Sequence, residues 1–99
     1  MADKVAFVYN NSAGSDNEPI AMIVLKNGMV RFHAPKDSSY RESVSELNGT
    51  AITFSKEDAE EMFEDYADKW DNRFSLVDSF PLQGKNARRA EVLIAKWSK

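Results

Sequence analysis

The dipeptide Asn27-Gly28 constrains the fold of this chain more than any other feature of the sequence. It lies between two apolar runs, residues 20–26 and 29–34. A two-residue turn of type I′ needs positive φ angles at both positions, and Asn and Gly adopt such angles most readily. The sequence therefore predicts a β-hairpin in which Leu25 pairs with Val30, with antiparallel strands in the sheet.

A second constraint is the amphipathic pattern of residues 55–70. Apolar residues recur there at spacings of three and four, namely Ala59, Met62, Phe63, Tyr66, Ala67 and Trp70. This spacing is typical of a helix that packs one side against a core and leaves the other in solvent. Ser55 stands where an N-cap residue belongs, three positions before Asp58, whose amide its hydroxyl can bind. We predict a helix over residues 55–70.

The remaining elements are shorter. Alternation or β-prone composition predicts strands at residues 5–9, 50–54 and 74–80. The first of these is apolar at every position, which indicates a strand buried on both faces. Residues 39–47 form a short predicted helix.

The start of that short helix carries the pattern Ser39-x-x-Glu42, which is typical of a capping box. Its end is predicted at Asn48-Gly49. Residues 87–97 fit either a helix or a final strand, and the run Ala-Arg-Arg-Ala-Glu favours the helix.

Together these elements predict a single α+β domain over residues 1–99, in the order β-β-β-α-β-α-β-α with the last element open. We expect an antiparallel sheet with the hairpin at its centre and the helices packed on one face. The chain has no cysteine, no signal-peptide pattern and no apolar run long enough to cross a membrane. We therefore expect a cytoplasmic protein that does not enter membranes.

Charge is distributed unevenly along the chain, although the formal net charge is only −3. Residues 55–71 contain eight acidic and two basic residues, a net charge of −6. Residues 83–99 contain five basic residues and one acidic residue, a net charge of +4. Such asymmetry indicates two surfaces of opposite sign, which could also be two solvated faces that attract each other weakly within the fold.

The acidic side of the predicted helix 55–70 is the first candidate site. Its carboxylates are Glu57, Glu60, Glu61, Glu64, Asp65 and Asp68. The corresponding hypothesis is a small protein-interaction module without catalysis, an inhibitor or adaptor of the kind common in phage and mobile elements. Its partner would be a protein with a basic surface.

The basic C-terminal segment, residues 85–99, is the alternative site, for nucleic acid. Its candidate residues are Lys85, Arg88, Arg89, Lys96 and Trp97. Cations beside an aromatic side chain can follow a phosphate backbone and stack on bases. The sequence pI of 5.1 argues against a dedicated nucleic-acid binder. A homodimer stays open, and a lower-ranked hypothesis is a small enzyme or enzyme subunit completed across an oligomer interface.

No motif indicates catalysis. His33 is the only histidine, and the four glycines are isolated at turns rather than grouped in a phosphate-binding loop. We expect a surface histidine, and we predict no catalytic residue, no metal site and no cofactor.

Overall fold

The computed structural model describes residues 3–11 and 18–98 and has an α+β fold. Its elements, in chain order, are β1 (Lys4–Asn10), β2 (Ala21–Lys26), β3 (Met29–His33), α1 (Arg41–Ala51), α2 (Lys56–Trp70), β4 (Ser75–Pro81) and α3 (Gly84–Trp97). The α+β class and the chain order of the elements are confirmed. The one difference in that order is that residues 50–54 form no strand. The open segment 87–97 is helical.

The hairpin forms as predicted. Leu25 pairs with Val30 and Ile23 pairs with Phe32. The φ angles are 55° at Asn27 and 74° at Gly28, the two positive values that a type I′ turn requires. A local turn preference therefore sets the register of β2 against β3.

The sheet has the strand order β3-β2-β1-β4, with every neighbouring pair antiparallel. The hairpin is therefore not at the centre as a unit, because β3 is an edge strand and β1 and β2 are the two inner strands. This difference follows from composition. β1 is apolar at consecutive positions such as Phe7 and Val8, both with no exposed surface, whereas Arg31 interrupts β3. A strand apolar on both sides is best placed inside the sheet.

Helices cover both faces of the sheet, and the prediction that all helices pack on one face is wrong. One hydrophobic cluster joins α1 and α2 to the face that carries Ala6, Val8 and Ile23. A second cluster joins α3 to the opposite face, which carries Phe7 and Met22. The inner strands are apolar on both sides, so each face needs a covering layer to exclude water.

The start of α1 also differs from the prediction. Tyr40 is the N-cap residue, and no side chain caps the helix there. The predicted capping box at Ser39 is therefore wrong. Ser38 takes the local role instead, since its hydroxyl accepts a hydrogen bond from the Tyr40 amide at 3.1 Å and donates one to the Ile20 carbonyl at 2.5 Å.

The end of α1 explains why residues 50–54 are not a strand. The helix runs through Asn48 and Gly49 to Ala51, so the predicted stop is wrong as well. The Thr53 hydroxyl and amide then both donate to the Thr50 carbonyl, at 2.9 and 3.3 Å, which closes a tight turn into α2. The two threonines of this run lie at the end of the helix, where their hydroxyl groups donate to backbone carbonyls of its last turns.

Candidate functional site

The acidic side of α2 belongs to a helix with a defined start and a buried apolar side. At its start the Ser55 hydroxyl accepts a hydrogen bond from the Asp58 amide at 3.3 Å, which confirms the predicted N-cap. Fifteen residues give the helix a length of roughly 22 Å. The predicted apolar stripe is confirmed too. Ala59, Met62, Phe63 and Trp70 are buried, and Tyr66 and Ala67 pack against them.

The stripe fixes which side of α2 meets solvent. Five of the six candidate carboxylates are exposed and Glu60 is half-buried; the exposed ones are Glu57, Glu61, Glu64, Asp65 and Asp68. The structure therefore places all six on the outer surface of one helix, above a rigid core. We call this set the acidic face.

One member of the acidic face has an internal partner. The Lys4 ammonium donates to a Glu64 carboxylate oxygen at 2.7 Å. Within residues 3–11 and 18–98, no other acidic side chain of α2 forms an ion pair. No local signal in the sequence indicates this pair, because Lys4 lies 60 positions from Glu64, in a strand whose next residues are apolar. The other carboxylates of the face meet water.

The basic C-terminal segment folds as α3, and its candidate residues differ in exposure and in contacts. Lys85 and Arg88 are exposed. The Lys96 ammonium donates to Glu18 at 2.5 Å, and both side chains are exposed. Trp97 is buried against the sheet with only 7% of its surface exposed. Lys99 lies outside the described residues.

Arg89 is held by the fold. Its guanidinium lies over the Phe7 ring at 4.8 Å and the Tyr9 ring at 5.7 Å, and it donates a hydrogen bond to the Tyr9 hydroxyl at 2.8 Å. Stacking on aromatic faces and a directed hydrogen bond both fix a guanidinium in place. The structure thus brings Arg89 and Trp97 to the sheet, whereas Lys85 and Arg88 are exposed and have no ion-pair partner in the part of the chain that the structure describes.

The two charged surfaces lie on opposite sides of the molecule. α2 belongs to the cluster on one face of the sheet and α3 to the cluster on the other. The sheet and both apolar layers separate them, so their side chains make no ion pair with each other among the described residues.

His33 borders a shallow cavity of about 390 Å³, also lined by Arg41, Asn48 and Trp97. Burial lowers the pKa of His33 below its usual value of 6.5, and the positive charge of Arg31 lowers it further. The lowered pKa favours the neutral ring. Its side chain is half-buried rather than fully at the surface.

No cluster of three or more His, Asp or Glu side chains in residues 3–11 and 18–98 has the geometry to hold a metal ion. In that part of the chain, no helix combines the length and apolar character needed to cross a bilayer.

Comparison with known proteins gives no relative from which a function could be transferred. No family model matches the chain, and neither the curated proteins nor the solved structures include a significant match.

Proposed function

We propose that this protein is a non-catalytic interaction module that binds a basic surface of a partner protein through the acidic face of α2, as an inhibitor or an adaptor. The observation that carries the proposal is the uncompensated charge of that face. Glu57, Glu61, Asp65 and Asp68 are exposed and have no ion-pair partner among the described residues. Glu64 is the one member of the acidic face with an ion-pair partner in residues 3–11 and 18–98.

The closely spaced carboxylates on α2 lower the stability of this helix. Carboxylates four residues apart are neighbours on a helix, as in Glu57 and Glu61 or Glu61 and Asp65. Each such like-charged pair destabilises a helix by about 0.2–0.5 kcal/mol. Lysines at alternate positions would remove this repulsion and keep the protein equally well hydrated. The retained repulsion supports a role for the charge outside the fold.

A basic partner surface gives the charge that role. Complementary charges accelerate association and select against partners of the wrong sign. Because the core positions α2 as a straight element of about 22 Å, its carboxylates meet the partner as a preorganised array that loses little conformational freedom on binding.

The experiment compares two matched charge reversals. Glu61→Lys/Asp65→Lys changes the acidic face, and Glu42→Lys/Glu46→Lys changes an equally spaced, equally exposed pair on α1. Tagged proteins are used to capture partners from a lysate of the cells that naturally make this protein, with identification by mass spectrometry. We expect the α2 reversal to abolish capture of a specific partner that the α1 reversal retains, with both variants folded by circular dichroism. Equal capture by both variants would refute the proposal.

The nucleic-acid alternative has weaker support from the contacts. It keeps Lys85 and Arg88 as exposed cations, but the aromatic side chain that would stack on bases, Trp97, is part of the core. It predicts a salt-sensitive gel shift that is lost on Lys85→Ala/Arg88→Ala, and the absence of any shift at about 50 mM salt would exclude it.

A further inference from the structure

The two edges of the sheet differ in their hydrogen bonding. At the β3 edge, the Asn48 side chain accepts from the Phe32 amide and donates to the Phe32 carbonyl, both at 2.8 Å. Arg41 donates to the Ala34 carbonyl, also at 2.8 Å. α1 therefore supplies part of the hydrogen bonding that a neighbouring strand would give. β4 is the opposite edge, and no further strand of the described residues pairs with it.

The two ends of β4 determine which of its backbone groups point outward. The Asn11 amide donates to the Phe74 carbonyl and the Leu82 amide donates to the Asp3 carbonyl, each at 3.0 Å. Both bonds fit the register of β1 with β4. Since bonded and non-bonded positions alternate in an antiparallel ladder, even-numbered residues of β4 bind β1 and the backbone groups of odd-numbered residues point outward.

The open part of this outer edge is its middle. The amide and carbonyl of Ser75 exchange hydrogen bonds with Asn72, at 3.3 and 2.9 Å. Pro81 has no amide hydrogen, and its carbonyl accepts from Gln83 at 2.9 Å. Among the described residues, no group bonds the outward amides and carbonyls of Val77 and Ser79. These four groups form a template for one additional strand.

The α3 side of β4 exposes apolar surface beside this template. Leu76 and Phe80 lie on that side because they pair with Tyr9 and Val5, which belong to the cluster under α3. Their side chains are 40% and 37% exposed. Phe74, directly before β4, is exposed as well. A strand added to the edge would cover part of this apolar surface, because its alternate side chains point to the same side.

Asp78 places a negative charge between the two apolar side chains of that side. It is in register with Phe7, which also belongs to the cluster under α3. Its side chain is exposed and forms no hydrogen bond or ion pair with another described residue. Arg89 lies over the Phe7 ring, but its guanidinium donates to the Tyr9 hydroxyl and forms no ion pair with Asp78. Along the edge, the α3 side is therefore apolar, acidic and apolar.

The α2 side of the open segment does not add a free positive charge. Val77 packs against the cluster under α2. Ser79 borders a cavity of about 260 Å³ that is also lined by Asp3, Lys4 and Glu64. Lys4 and Glu64 form an ion pair, so the remaining charge there is the negative charge of Asp3. Both sides of the edge therefore suit a basic strand better than an acidic one.

A second copy of the chain is a poor occupant of this edge. In the two-fold antiparallel pair that uses all four open groups, Val77 of one copy lies opposite Ser79 of the other. Asp78 then lies opposite Asp78 of the other copy with Cα atoms about 4.5 Å apart, where like charges repel. A shift by two residues brings the blocked Ser75 or Pro81 into the ladder and loses half of the four hydrogen bonds.

We propose that the outer edge of β4 binds an extended segment of a partner protein in which a lysine or arginine lies two positions from an apolar residue on each side. The segment adds as a fifth, antiparallel strand that bonds the backbone of Val77 and Ser79. Its basic side chain lies opposite Asp78, and its apolar side chains lie opposite Leu76 and Phe80. The proposal rests on the contacts of β4 and does not depend on the function proposed for the acidic face.

The first experiment tests the strand addition. The blocked peptide Ac-SVTKTVS-amide is titrated into isotopically labelled protein and followed by nuclear magnetic resonance. We expect saturable binding that shifts the amide signals of Val77 and Ser79. Methylating the two threonine nitrogens of the peptide, which face β4, should weaken binding at least about tenfold. Methylating its two valine nitrogens, which face solvent, is the matched control and should have little effect. No binding at millimolar peptide, or equal effects of the two methylations, would overturn the proposal.

The second experiment tests the choice of charge. Asp78→Lys should weaken binding of the lysine peptide about fivefold and strengthen binding of its glutamate version, Ac-SVTETVS-amide, by a similar factor. Like charges still face each other between two copies of this variant, so the protein stays monomeric. The control Glu61→Lys/Asp65→Lys changes the acidic face and should alter either affinity by less than about twofold. An unchanged preference between the two peptides in Asp78→Lys, or a stable wild-type dimer in sedimentation, would overturn the proposal.

Discussion

The helices α2 and α3 have the same construction, but α3 holds a larger share of its charged side chains in contacts within the fold. Each packs an apolar side on one face of the sheet and turns a charged side outward. In α2 one carboxylate, Glu64, has an ion-pair partner. In α3, Arg89 binds Tyr9 and Lys96 binds Glu18. The charged residues counted along a sequence are therefore only candidates for binding. Contacts in the folded chain determine which of these side chains remain without a partner.

The largest test of this comparison concerns the apolar side of α3. Trp97→Ala should lower the free energy of unfolding by about 3–5 kcal/mol, because it removes a buried aromatic side chain. Val92→Ala on the same helix changes an exposed side chain and should stay within about 0.5 kcal/mol of wild type. Urea denaturation measures both. Similar, small effects would mean that Trp97 is a free surface residue, as the nucleic-acid hypothesis requires.

A second, smaller test separates two adjacent arginines of α3. Arg89→Ala should destabilise the protein by about 1–2 kcal/mol, since it removes a hydrogen bond to the Tyr9 hydroxyl and the stacking on Phe7. Arg88→Ala is its matched control and should change stability by less than about 0.5 kcal/mol. If both changes are neutral, the cations of α3 are as free as the carboxylates of α2.

The smallest expected effect is the dependence of the free energy of unfolding on pH that the titration of His33 causes. Its pKa in the folded protein is below the 6.5 of the unfolded chain. The unfolded state therefore binds the proton more tightly, so the stability that the neutral ring contributes above pH 6.5 is lost as the pH falls from 6.5 through the lower pKa of the folded state. His33→Gln should reduce the slope of stability between about pH 7 and 5.5, above the range where carboxylates titrate. An unchanged slope would show that burial does not shift this group.

The sequence could predict the elements whose signals are local. Asn27-Gly28 determines a turn by its own backbone preferences, and Ser55 with Asp58 closes a cap within four residues. The apolar stripe of α2 was visible because six side chains repeat at the helical period. In each of these cases the interacting groups are close in the chain.

The wrong predictions concern features that depend on contacts between residues far apart in the sequence. The run at residues 50–54 has β propensity, but it follows directly on α1, and the nearest sheet edge is already occupied by Asn48. The prediction that all helices lie on one face fails because β1 and β2 are apolar on both sides, so both faces of the sheet need a covering helix.

The candidate site also combines features that are local in the sequence with features that depend on distant residues. The positions of the acidic residues follow from helical spacing, whereas the Glu64–Lys4 pair and the capture of Arg89 by β1 depend on sequence separations of 60 and 80 residues. No local signal records such pairs, so the free part of each charged surface became visible only in the folded chain.

The central claim is that the acidic face of α2 keeps its charge for a partner at the expense of the fold. The most direct measurement takes Glu61→Gln/Asp65→Asn, which removes the charge with little change of shape, and records both the free energy of unfolding and the affinity for the captured partner. The account predicts opposite directions, with stability raised by about 0.2–0.5 kcal/mol for each relieved pair and affinity reduced by at least about tenfold. Unchanged affinity, or a loss of stability, would contradict it.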